Sequence, residues 1–597
     1  MIPEEQPPQY QHDRENLGNE CYHAFRSPTN SKDEDDDDNR HNETQTVRPE
    51  SAGKHAENET SGSRRVTRKL PSTVSTMTAS SSSSSVNKSL QRLVLVAAAT
   101  AATLGYDVGI MAAAIQPMED TMELNGIQKE VAMGSLNFVA ALGALLGGRV
   151  ANDHGRKYTV KVCCWIFVVG TILMAAAPGY WVFLLGRIVT GMGVGVSFVA
   201  APVYLSEVAP TDMRGKLNTV FDVAINGGIL LGYVLGFLVQ LTPNLEPHHK
   251  WRLMLILGII LPICVLWNLV HLPESPRWLV MKKQPAAAAQ VLRQLSGADL
   301  DHRPHDSQGQ ACDDDNNRKI LRMVSTMEEQ LDEEDEHTSG PLSPLQALVQ
   351  CKLSHGMRLA MALGFWQQIT GTEAVLYYSA DFLQHAGLES PTQRLLGNCF
   401  VGLCKLVPEL IAMQYVDTLG RRPLMLTSAV LLVVSIFSLS GAFYLDWHPL
   451  VVVLFLCAIM ASFSIGLGPF SFLIASESLG LSERATGMTL CAAINRCTSG
   501  TVALTAVSMY EALGSGGLFA VYGLTGFLSL PFYYYNVSET AGQSLEELST
   551  RYSRARRREI ELKPTDDGNR PAVQWYSDND SVATKQVAPQ ATEGTMV

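Results

Sequence analysis

Twelve mostly apolar stretches, each roughly 20 to 27 residues long, run through the middle of the chain. They lie at roughly 90–115, 131–151, 158–177, 181–204, 219–241 and 252–271, then 358–383, 394–416, 423–444, 449–475, 488–511 and 515–537. At 1.5 Å rise per residue, about 20 apolar residues cover the ~30 Å hydrocarbon core of a bilayer. The pattern predicts an all-α membrane protein with twelve transmembrane helices in two six-helix bundles, over residues 90–280 and 358–550. A polar stretch, 281–357, separates the bundles and shows no globular pattern. Residues 1–89 and 551–597 are polar and biased, with an acidic run at 33–38 and serines at 80–85. Such segments cannot bury enough apolar surface to fold, so they are expected as disordered tails, open to regulation by phosphorylation.

Short loops on the cytosolic side of a membrane are enriched in Lys and Arg. Arg156 with Lys157, Arg214 with Lys216, Arg421 with Arg422, and Arg484 occupy alternate loops, while the intervening loops carry chiefly Lys129, Lys250 and Arg394. This places both tails and the central segment in the cytosol. The two halves also echo one another. Gly420-Arg421-Arg422 follows Gly155-Arg156-Lys157 by 265 residues, Glu477 follows Glu207 by 270, and Glu539 follows Glu274 by 265. Three landmarks at nearly one offset predict two parallel six-helix repeats with a binding site near the midplane between them.

Composition adds mostly exclusions. Of 597 residues, 46% are hydrophobic and 17% charged, and a mean hydropathy of only +0.07 averages polar tails with a very apolar middle. The formal charge of −12 sits largely in the N-terminal tail and in 313–336, so it points to no nucleic-acid partner. No Walker loop, HExxH or paired CxxC occurs, which argues against an enzyme and against a metal or nucleotide cofactor. Of 11 cysteines, eight fall within apolar runs, where small-residue packing explains them. Met1 is followed by Pro3, Glu4 and Glu5, not by a basic start and an apolar run, so no cleavable signal peptide is expected.

The informative residues are charges inside apolar spans: Asp107, Arg187, Asp222, Glu373, Lys405, Glu409 and Arg496. A charge at the bilayer centre costs roughly 2.5–3.5 kcal/mol on insertion scales, so such residues face a cavity, pair, or work. Burial favours a neutral acid and a neighbouring cation favours a carboxylate, so an acid with a movable partner can switch its protonation. Asp107, between Gly105 and Gly109, is the candidate proton acceptor; a static ion pair locking two helices is the alternative. Asp222 and Asn226 share a helix face, and Gln367, Gln368 and Glu373 bracket Gly371, where a helix can bend. Their paired donors and acceptors suit the vicinal hydroxyls of a polyol, with Tyr377, Phe472 and Asn495 beside them. Simple interhelical hydrogen bonding is the competing account of the glutamines. Lys405 and Glu409, four residues apart, can neutralise one another, or Lys405 and Arg496 can pair with Glu373 or Asp222 across a cavity.

Over about residues 90–550 the chain resembles the sugar-porter branch of the major facilitator superfamily. The resemblance rests on Gly105-Tyr106-Asp107, Gly186-Arg187, Tyr204-Leu205-Ser206-Glu207, Pro273-Glu274-Ser275-Pro276-Arg277-Trp278-Leu279, Gln367-Gln368 with Gly371, Asp417 through Arg422, and Gly468-Pro469. Asp222, Glu373, Lys405 and Asn495-Arg496 make it most like the proton-coupled polyol and monosaccharide transporters. The resemblance implies alternating access driven by a proton gradient, with Arg187 as the partner of Asp107. It implies cytosolic gate latches from Asp153, Arg156, Glu207 and Arg214 in one half and Asp417, Arg421, Glu477 and Arg484 in the other. Three departures stand out: Asn152 at a usual Asp, followed by Asp153; Phe472 at a usual Trp; and Ser538 and Ala541 at a usual Pro and Lys. The expected partners are a small polyol or sugar, protons and the lipid bilayer, with no obligate protein partner. A hexose or inositol symporter or facilitator, or a non-transporting sugar sensor, is the alternative. The plasma membrane is the expected residence, an internal membrane the other possibility.

Overall fold

The computed structural model describes residues 84–208, 214–296, 317–329, 353–479 and 481–540. The two tails, the loop 209–213 and the side chains of Arg214 and Asp417, with the expectations placed on them, lie outside the described residues.

Ten helices among the described residues are long and apolar enough to cross a membrane. The last, Leu481–Asn536, is two spans run together with a turn at Gly514 (φ +71°). The seventh span is absent from the ten because it is broken into His355–Ile369 and Thr372–His385, each too short alone. Twelve spans result. The first five are Ser84–Met122, Gly126–His154, Arg156–Ala175, Tyr180–Val208 and Arg214–Gln240. The sixth is Pro247–Ile256, a 3₁₀ turn Leu257–Ile259 and Ile260–Leu269. The eighth and ninth are Pro391–Leu419 and Arg421–Tyr444, and the tenth runs through Pro449–Ile465 and Leu467–Ser478 with a break at Gly466.

Three boundaries need correcting. The first helix begins at Ser84 and continues to Met122, so the tail read as 1–89 ends earlier and the span is longer than 90–115. The tenth span is interrupted at Gly466 (φ −154°, ψ −55°), and only its first part is a regular run from Pro449. The segment 281–357, read as without a globular pattern, is not so: Pro285–Ser296 and 317–329 are helical, and the helix Pro276–Met281 runs up to them. Leu279, Val280, Ala288, Ala289, Ile320 and Val324 form a small apolar core of their own.

Within the first half, glycines let backbones meet. A β-carbon on Gly105 would stand 1.9 Å from the Ile225 carbonyl oxygen, joining the first and fifth spans, and one on Gly195 would stand 2.0 Å from the Ala140 carbonyl oxygen, joining the second and fourth. Such small-residue contacts replace the hydrophobic drive that lipid removes. Gly195→Val is therefore expected to force these two spans apart at a cost of about 3 kcal/mol or more. Gly441→Ala, where nothing lies within 4 Å, is the control. Thermal unfolding of the two purified variants checks this: equal midpoints would refute it.

The repeated landmarks have a common physical cause. Gly155 (φ +101°) and Gly420 (φ +85°) each turn the chain from one helix into the next, in the left-handed region that favours glycine. The exposed amides of the following helix then need acceptors. Glu274 accepts from the Arg156 and Lys157 amides at 2.9 and 3.0 Å, and Glu539 accepts from the Arg421 and Arg422 amides at 3.0 and 3.1 Å. A carboxylate there also complements the positive helix end. Each half thus ties the end of its last span to the start of its third.

Candidate functional site

The site is built where the two halves meet. Asp107, on the first span, and Arg187, on the fourth, form an ion pair of 2.7 Å; the Arg side chain is 0% exposed and the Asp 9%. Arg187 Nε also donates to the Ala132 carbonyl at 2.9 Å, while Nη2 has no partner. The guanidinium is therefore anchored by one nitrogen and paired through another. Beside the pair, Thr103, Tyr106 and Thr171 line a small cavity together with Asp107.

Gly371 (φ +81°) breaks the seventh span, and its α-carbon packs so closely on Tyr522 that a β-carbon would stand 2.4 Å from the ring. Just before the break, Gln367 donates to the Leu467 and Gly468 carbonyls, both at 2.9 Å, at the other interrupted span. Gln367 Oε1 accepts from Asn495 at 2.6 Å, and Asn495 Oδ1 accepts from Arg496 at 2.6 Å and from Gln368 at 3.5 Å. Arg496 reaches the first half, donating to Asn137 Oδ1 at 3.5 Å and lying 4.7 Å over the Phe198 ring. The interhelical account holds for Gln367, whose amide is fully engaged. Gln368 differs, since its Oε1 is buried without a partner. Glu373 sits in the first turn after the break, buried. Tyr377, 0% exposed with an unpartnered hydroxyl, lies within electrostatic reach of Glu373, Asp107, Arg187 and Arg496. Phe472 is half-buried against the core.

A second cluster joins the fifth and eighth spans. Asn226 donates to Glu409 Oε2, and Asp222 lies within electrostatic reach of Glu409 and Lys405. Glu409 lies within electrostatic reach of Lys405, but it is not the group that Lys405 contacts. Lys405 Nζ lies 4.7 Å over the Phe463 ring, because Glu409 is turned across the seam between the halves to Asn226.

The four gate residues whose pairing is visible pair within their own halves. Arg156 meets Glu207 at 2.9 Å, and Arg421 meets Glu477 at 3.2 Å. Arg484 donates to the Leu479 carbonyl at 3.3 Å. Asp153 is exposed.

The sequence reading missed a polar latch at the opposite face, the end where the first span finishes. Lys129 Nζ, buried, binds Glu119 at 2.8 Å and Asp381 at 3.1 Å, linking the second span to the broken seventh. Beside it Glu130 accepts from the amide and hydroxyl of Ser508 at 2.6 and 2.7 Å. Farther in, Tyr233 donates to the Leu376 carbonyl at 2.7 Å. All three cross between the halves. The only sequence signal was a lysine and acids near span ends, on the side poor in positive charge.

Comparison with known proteins agrees with this architecture. The model of the family described as "Sugar (and other) transporter" matches residues 93–552. Among relatives, "Probable polyol transporter 4" of Arabidopsis thaliana is 34% identical over 449 residues, covering 74% of this chain and 81% of that one. "Polyol transporter 5" of the same plant is 32% identical over 490 residues, 79% and 87% of the two chains. "D-xylose-proton symporter-like 2", also from Arabidopsis thaliana, is 31% identical over 466 residues, 75% and 88%. Among solved structures, the xylose transporter XylE from E. coli in a partially occluded inward-open conformation superposes with a TM-score of 0.64 at 23% identity, covering 76% of this chain and 100% of that one. The major facilitator superfamily proton:xylose symporter XylE bound to 6-bromo-6-deoxy-D-glucose gives 0.65 at 23% identity, covering 78% and 99%. This multi-pass helical membrane protein belongs to the sugar (and other) transporter family.

Proposed function

We propose that the protein moves a polyol or monosaccharide across a membrane in symport with protons, by alternating access. The observation that carries this is the buried Asp107–Arg187 pair: an acid whose cation is held by a different helix can trade its partner for a proton when the helices shift. Arg187 is the switching partner. Asp222, Asn226, Gln368, Glu373, Tyr377, Asn495 and Arg496, with Gln367, Lys405 and Phe472 around them, form the solute site. The proton gradient serves as the drive, and no bound cofactor is needed. The relatives named for polyol and xylose-proton transport support the solute class and the coupling ion. The face bearing Arg156, Arg421 and both tails is cytosolic, with Arg156–Glu207 and Arg421–Glu477 as latches of that face. The residence is the plasma membrane.

The test is uptake of labelled sorbitol, mannitol, myo-inositol, xylose and glucose by proteoliposomes, with and without an acid-outside pH gradient. At least one polyol or monosaccharide is expected to accumulate above equilibrium only with the gradient. Gradient-independent equilibration, or no uptake of any of the five, would defeat the proposal. In the same panel Asp222→Gln combined with Glu373→Asn is expected to lower the polyol-to-hexose rate ratio about tenfold, the worth of one strong hydrogen bond. An unchanged ratio counts against these acids as specificity determinants.

A further inference from the structure

The seam between the fifth and eighth spans holds more acid than the solute needs. Lys405 and Glu409 stand on the eighth span, and Asp222 on the fifth, Glu373 on the seventh and Arg496 on the eleventh all lie within electrostatic reach of Lys405. The tenth span offers the Phe463 ring over Lys405 and Cys457 beside Cys404. The ninth carries charge only at Arg421 and Arg422, in its first turn. Three acids thus face two cations, which leaves one negative charge uncompensated at a depth where charge is costly.

Geometry singles out Glu409 as the group that relieves it. Glu409 is 1% exposed. Asn226 alone holds it, through Oε2, while Oε1 is buried with no partner. Lys405, its neighbour one turn away, rests on a ring. A carboxylate so placed has a single hydrogen bond and a cation that does not contact it, whereas a carboxylic acid there needs no countercharge.

We infer that Glu409 is a second proton-carrying group, protonated while Asn226 holds it across the seam and deprotonated when the halves part. Separation of the fifth and eighth spans breaks the Asn226 bond and admits water. The O–H bond of the Glu409 carboxyl then breaks, the proton leaves on water towards the face that has opened, and the carboxylate turns to Lys405. Asp107 carries one proton and Glu409 another, so each solute travels with two. The inference rests on the proton-symport reading above.

Static-head accumulation in proteoliposomes of the full-length protein tests it. The labelled solute is whichever of the five the wild type accumulates most, the pH gradient is one unit and the membrane potential is clamped at zero. Each coupled proton then supports about tenfold accumulation. About 100-fold is expected for the wild type and about tenfold for Glu409→Gln. Lys405→Met is expected to fall to about tenfold too, since a carboxyl without its cation keeps its proton throughout the cycle. Each variant is assayed only where its size-exclusion profile matches the wild type, and the two substitutions are read independently. A wild type at tenfold overturns this inference and leaves the symport reading standing; a wild type that accumulates nothing overturns both. Glu409→Gln that stays at 100-fold also overturns it, as does Lys405→Met at 100-fold.

Discussion

Asp107→Asn is expected to abolish concentrative uptake while leaving solute exchange across the membrane at a measurable fraction of the wild-type rate. The isosteric amide keeps an oxygen to accept from Arg187 Nη1, which now stands 2.7 Å from the carboxylate, so the helices retain their contact. It has no proton to take up or release. One elementary charge moved across 100 mV is worth about 2.3 kcal/mol, which corresponds to about fiftyfold in concentration per proton. Losing that proton also breaks the obligatory order of events, so the remaining gradient leaks and accumulation collapses to about onefold. Two measurements decide it: accumulation under an imposed gradient, and counterflow without one. Wild-type accumulation by the variant would remove Asp107 from the coupling mechanism. Loss of counterflow along with accumulation would mark the pair as structural instead.

The second large effect is expected at the opposite face. Lys129→Met leaves Asp381, which is buried, and Glu119 without their shared cation. Removing one partner of a buried ion pair costs about 3–5 kcal/mol, and the state that suffers is the one in which this face is closed. A shift of about 3 kcal/mol is more than a hundredfold in a two-state equilibrium. A cysteine placed at Ser379, 0% exposed behind the latch, in a protein otherwise free of cysteine, should then react at least tenfold faster with an impermeant maleimide added on that side. Lys129→Arg should react as the wild type does. Lys129→Met with Asp381→Asn, which removes the orphaned charge too, should fall between. Equal labelling of Lys129→Met and the wild type would show that the closure does not depend on the ion cluster.

The spans were legible because their signal is long: twenty apolar residues cannot hide. The Gly155 and Glu274 landmarks were legible as a repeat, although their reason, a carboxylate capping two helix amides 117 and 118 residues away, is a tertiary fact. What the chain could not disclose was partner choice. Lys405 and Glu409 stand at ideal helical spacing, yet the seam draws Glu409 to Asn226, 183 residues earlier. Lys129 reads as a stray positive charge until Asp381, 252 residues on, arrives beside it. The short helices of the central segment escaped notice because a third of their shared core, Ile320 and Val324, is separated from the rest by a polar run. Asp107 with Arg187 was anticipated through resemblance; hydropathy alone gives no reason to pair those two.

The paired glutamate caps carry a mechanical meaning. Because Glu274 and Glu539 each clasp the chain to a loop at the start of the third or ninth span, each bundle is stapled along its own edge. Rocking motion would therefore concentrate in the seams between the halves, which side chains hold, among them Asn226 on Glu409 and Lys129 on Asp381. Glu274 also stands next to Ser275, the N-cap of the Pro276–Met281 helix, so the little helical module beyond it is mounted on the first bundle like a handle. A force applied to that module would turn the bundle as one piece.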